Sequence, residues 1–320
     1  MIELLAPPLQ RWLLYTGVLV LVGVAAWRMF IAPGAAARMG DRGPALLGAL
    51  EPTLAWIGAG ASALVLIAWG LRLHTQLLGF RDPFVPVTED LAFLVFETFW
   101  GTVWMVQGGL LVVLTVGFAL VARHGAAGRE IPARIEWGSP EPPTPLPGRW
   151  RALVLGVVGV VATLALSSHA MAVPSNRPLA VALDGVHTLA AGSWIGSLAL
   201  ILSAGRGPIL AAQLRAFSPV AMVSVGVLVF AGFLLSTQHV MAWENLWGSP
   251  YGRVLMLKVG FAGCVMAMGA VNWRRGLPTL DQPSGVAATR RRAWTEVAAA
   301  ALVLAITAWL TGMSMPEGTH

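Results

Sequence analysis

Residues 152–171 read ALVLGVVGVVATLALSSHAM, twenty positions without one Asp, Glu, Lys or Arg. An uncharged apolar run of this length is a transmembrane helix candidate, because about 20 residues of helix cross the hydrocarbon core. The run does not alternate, so it is not a barrel strand; backbone groups in lipid must instead bond within the segment, as a helix does. Comparable runs recur along the chain, giving eight spans at roughly 9–31, 51–73, 98–122, 149–171, 181–203, 217–240, 251–273 and 293–315. The composition agrees. The 320 residues are 57% hydrophobic and 11% charged, where a soluble domain carries about 25% charged residues. The fold class is therefore all-α and polytopic. Residues 88–97 (TEDLAFLVFE) form an interfacial helix or an extension of span three, and the Pro-rich stretch 138–147 is a stiff polar linker in water.

The basic residues orient these spans. Of 21 Lys and Arg, fifteen Arg fall in the connections near 28–50, 123–151, 204–216 and 274–292. Five lie on the opposite side, and Lys258 sits inside span seven. By the positive-inside rule the first group is cytoplasmic. Both termini are then outside, in the periplasm of a Gram-negative host, and the multi-pass chain belongs in the inner membrane. The net charge of +6 reports this orientation, not affinity for nucleic acid. One cysteine, Cys264, excludes an internal disulfide and any CxxC motif. The N-terminus lacks a basic region and a small-residue cleavage site, so the first span is read as retained.

The topology gathers soft ligands on the outer side. His169-x-Met171, His239-x-Met241 and Met313-x-Met315 each stand where an apolar run ends. Five of six histidines, His74, His169, His187, His239 and His320, are outer, and His124 is inner. Imidazole and thioether without thiolate suit copper: thioether favours Cu(I), and imidazole accepts either oxidation state. Side chains two residues apart lie about 200° apart on an ideal helix. Each pair therefore binds one ion only where the helix frays, as Pro174 permits after the first. His74 reads as an interfacial side chain. Asp184, His187 and Trp194 share one face of span five, and Asp184 could fix the His187 tautomer. Lys258 either snorkels to the interface or repels cations and gates entry. Met256, Cys264 and Met268 fit one sector of about 120°; they form a soft translocation track or simply pack. Gly192-x-x-x-Gly196 is a helix-packing motif.

The chain also echoes itself. TFWGTVWMVQ (98–107) aligns with SPYGRVLMLK (249–258), pairing Gly101 with Gly252, Val103 with Val254, Met105 with Met256 and Gln107 with Lys258. LEPTLA (50–55) similarly echoes FSPVAM (217–222). The reading is two parallel pseudo-repeats of four spans: residues 1–178, including the cytoplasmic linker 123–148, and residues 179–320.

Together these residues resemble the copper resistance protein D family. The resemblance rests on D-x-x-H-x6-W-x-G at Asp184, His187, Trp194 and Gly196, and on Ser168-His169-Ala170, like the family's G-H-A. It rests further on Phe217-Ser218 and on SPYGRVLMLK, like T-x-Y-G-x-x-L-x-x-K. It covers residues 149–315 well and the first half loosely. Ser168 and Ser197 stand where the family often has Gly. The resemblance implies copper moving from periplasm to cytoplasm. It also implies a separate periplasmic carrier of the copper resistance protein C type as partner. His169, His187 and His239 would capture the ion, with Met171, Met241, Met313 and Met315 assisting. Two other functions fit the histidines: a b-type haem electron-transfer protein, with haem held by paired imidazoles, or a subunit that holds copper without transporting it. No Walker motif and no nucleophile–base arrangement appears, so the chain reads as neither an ATP-driven pump nor an enzyme.

Overall fold

The computed structural model describes residues 2–127, 147–172, 176–240 and 244–313. Most of the Pro-rich linker, together with Met241, Met315 and His320, lies outside the described residues, as does the side chain of His239. Among those described, every regular element is helical. Eight helices have the length and hydropathy to cross a membrane. They are Pro7–Arg38, Glu51–Phe80, Phe99–His124, Gly148–Leu166, Arg177–Ala204, Gly207–Gln238, Pro250–Thr279 and Pro283–Leu310, hereafter spans one to eight. This is a multi-pass helical membrane protein.

Several boundaries differ from the sequence expectation. Span four stops at Leu166, and His169–Ala172 is a separate 3₁₀ turn. Span six begins ten residues early and runs through Pro219. Span eight begins at Pro283, so Arg290, Arg291 and Arg292 ride on the helix, not in a loop. Charge at an interface does not end a helix; Pro at the first turn starts one, because its missing N–H is unpaired there anyway.

Span one is the centre of the bundle. It packs on spans two, five and eight, and its most apolar window is 61% buried, against 11% for spans six and seven. The closest crossing is with span five. A side chain on Gly196 would strike the Leu19 carbonyl, and one on Gly23 would strike the Gly196 backbone. The small-residue motif thus lets two backbones touch, as expected. Ser197, wholly buried beside it, donates to the Gly23 carbonyl at 3.3 Å. On the Arg-rich side Glu51 of span two pairs with Arg28 at 4.0 Å and Arg149 at 3.5 Å, and accepts from the Trp150 indole. That carboxylate clamps spans one, two and four together.

The two echoing segments fold alike. A short helix, Val87–Phe96, precedes span three, and another, Glu244–Gly248, precedes span seven. Thr98 Oγ1 accepts from Gly101 N at 2.9 Å and donates to the Leu94 carbonyl at 2.6 Å. Ser249 Oγ accepts from Gly252 N at 2.9 Å and donates to the Asn245 carbonyl at 2.6 Å. In both places the glycine is required, because a Cβ would strike the carbonyls of the short helix. Gln107, fully buried, and Lys258 then occupy matching positions two turns further on.

Candidate metal centre

The ends of spans four and eight meet at the face that begins span one. His169 Nε2 lies 2.8 Å from the Thr311 carbonyl. A carbonyl only accepts, so Nε2 carries the hydrogen and the Nδ1 lone pair is left for another partner. Thr311 Oγ1 in turn accepts from Tyr15 of span one at 3.2 Å. The His169 ring is exposed. Because it sits in a 3₁₀ turn, it and half-buried Met171 are released from the ideal-helix angle that would keep them apart. Met313, two residues beyond Thr311, is half-buried against the cluster of Leu255 and Leu310.

His187 lies deeper, in span five. Its ring rests on the backbone of Gly232 in span six, where a Cβ would come within 3.1 Å of Cε1 and 3.4 Å of Nδ1. Nδ1 is buried; the Leu228 backbone faces it, but no hydrogen bond of standard geometry forms. Lys258 of span seven is within electrostatic range of His187, and Asp184 is within range of both Lys258 and Tyr15. Lys258 is half-buried. A polar group spanning helices one, four, five, seven and eight results, at the end of the bundle where the sequence places the soft ligands.

Other expectations land differently. Asp184, His187 and Trp194 would share a face on a continuous α-helix. However, Gly192–Gly196 is a π-turn, and its wider turn rotates the residues within and beyond it. Trp194, only 5% exposed, contacts Glu296 of span eight and packs beside Gly269 of span seven, whereas His187 faces span six. Along span seven Met256 and Met268 are half-buried but Cys264 is exposed. A soft track there would run along the outside of the monomer. His74 is exposed, as an interfacial side chain should be. Among the described residues no three His, Cys, Asp or Glu side chains converge at metal-binding spacing. Among the described residues, therefore, His169 and His187 belong to no closed cage of imidazole, thiol and carboxylate ligands.

The sequence reading passes over Tyr15, Thr311, Asn272 and Glu296. Glu296 carries a signal, a carboxylate inside an apolar helix. Starting span eight near 293 places it at the interface instead.

Known proteins point the same way. Residues 211–310 match the family model of copper resistance protein D. The chain is 24% identical over 299 residues to the copper transport protein CutJ of Bacillus subtilis (strain 168). That match covers 89% of this chain and 49% of the relative, so the chain spans about half the length of that protein. It is also 24% identical over 329 residues to copper resistance protein D of Pseudomonas syringae pv. tomato, covering 96% of each. No solved structure matches. Residues 211–310 of the chain are thus similar to the copper resistance protein D domain.

Proposed function

We propose that this protein takes copper at the periplasmic face of the inner membrane and moves it toward the cytoplasm. The observation that carries the reading is His187. An imidazole with a buried, unbonded nitrogen inside a membrane bundle is a costly feature that function explains better than packing. Its neighbours fit the task. Exposed His169 offers Nδ1 at the rim, and Met171 and Met313 stand within two residues of the His169–Thr311 contact. In this reading His239, Met241 and Met315 complete the set, with the thioethers favouring Cu(I). Lys258 repels a cation approaching His187 until Asp184 offsets its charge, which makes the pair a gate. The Arg-rich connections support an outer position for this end, where a separate carrier of the copper resistance protein C type would deliver the ion. The two half-chains act as parallel repeats, supported by the matched Thr98–Gly101 and Ser249–Gly252 caps.

The test is copper flux into sealed liposomes containing only this chain. Wild type is expected to accumulate copper, and His187→Ala to cut the initial rate about tenfold or more. Equal rates for the two, or none for wild type, would overturn transport by this route.

A further inference from the structure

Another buried polar group of the bundle lies away from the candidate copper site. Glu296 stands at the middle of the 28-residue helix Pro283–Leu310 and is 3% exposed. Asn272 of span seven donates through Nδ2 to its Oε2 at 2.8 Å. The Trp194 indole of span five faces the same carboxyl group as a second donor. Gly269 makes the room: a Cβ there would come within 3.1 Å of Glu296 Oε1 and 3.6 Å of the indole. Three spans are thus shaped around one carboxyl group. It also borders a cavity of about 310 Å³ between spans five, six, seven and eight, which extends past Thr289 to Leu277 and Leu280 at the connection of spans seven and eight.

We propose that Glu296 is a membrane-embedded proton-exchange site, loaded and unloaded through this cavity and positioned by Asn272 and Trp194. The chemistry of the neighbours selects a proton over a metal ion. Indole N–H is a donor only, and Asn272 turns its amide N–H to the carboxylate, so neither offers a lone pair to a cation at Glu296. Among the described residues no other ionisable side chain lines the cavity. Asn272 from span seven and Trp194 from span five are uncharged. Arg292, one turn away on Glu296's own helix, donates to Thr289 Oγ1 at 3.3 Å instead. A lone carboxyl group at membrane depth, held by donors and reached by a cavity, is equipped to bind and release one proton. Nothing in this group requires copper.

The experiment is infrared difference spectroscopy of the full chain in lipid nanodiscs, titrated across the pH range in which it stays folded. Wild type should show a carboxylic-acid carbonyl band that appears and disappears with pH, and Glu296→Gln should lose it. Asn272→Leu should displace the midpoint by about one pH unit or more, because a hydrogen bond to the charged form is removed. A carboxyl group sealed from water in one protonation state would keep the same band across that range. A wild-type spectrum without a titrating acid band, or a band that survives in Glu296→Gln, would overturn the proposal.

Discussion

At the residue scale, the position of His187 depends on an absent side chain. Gly232 leaves the space that the imidazole fills, with a Cβ only 3.1 Å from Cε1. Gly226, on the same span, has nothing within 4 Å of where its Cβ would be. Gly232→Val should therefore displace the ring, lower copper affinity about tenfold, and cost about 1–3 kcal/mol through overpacking. Gly226→Val should leave affinity alone; isothermal titration and thermal melts on purified protein would separate the two. The imidazoles and thioethers were legible in the sequence because they interrupt apolar runs. Gly232 was not, because glycine in a membrane helix has many roles and its partner is 45 positions away. Trp194 was misplaced for a different reason. A regular 3.6 residues per turn does not hold through Gly192–Gly196, where the helix is a π-turn.

At the scale of elements, hydropathy located all eight spans, and its errors cluster where helices extend beyond the apolar run. Arg290, Arg291 and Arg292 read as loop because they are charged, but they form the first turns of span eight and push Glu296 to mid-helix. The amphipathic pattern gave no help with exposure. Spans six and seven are apolar all round and sit at the periphery, so the sequence could not show that Cys264 faces outward. The echoing segments share a local geometry. Gly101 and Gly252 lie under equivalent short helices, and Thr98 and Ser249 cap equivalent first turns. Replacing either capping residue by Ala should destabilise the fold by about 1 kcal/mol. Similar losses for Thr98→Ala and Ser249→Ala in denaturation experiments would fit the repeat, whereas a loss at one site alone would count against it.

For the whole molecule, the arrangement separates the His187 and Glu296 groups along one bundle. Near the beginning of span one, the His169–Thr311–Tyr15 contacts tie spans four, eight and one together beside His187, Asp184 and Lys258. Deeper in, Glu296, Asn272 and Trp194 join spans eight, seven and five. Span one, in backbone contact with span five at Gly23 and Gly196, is the rigid axis between them. A bundle held this way can move its peripheral spans six and seven more readily than its centre, since they bury least.

The central claim, a copper site built on His187, is tested most directly by metal analysis of detergent-purified protein after copper loading and desalting, with a visible spectrum on the same sample. Wild type is predicted to retain copper and show no Soret band, and His187→Ala to lose most of the metal. Equal copper in the two proteins, or haem iron with a Soret band, would contradict that claim.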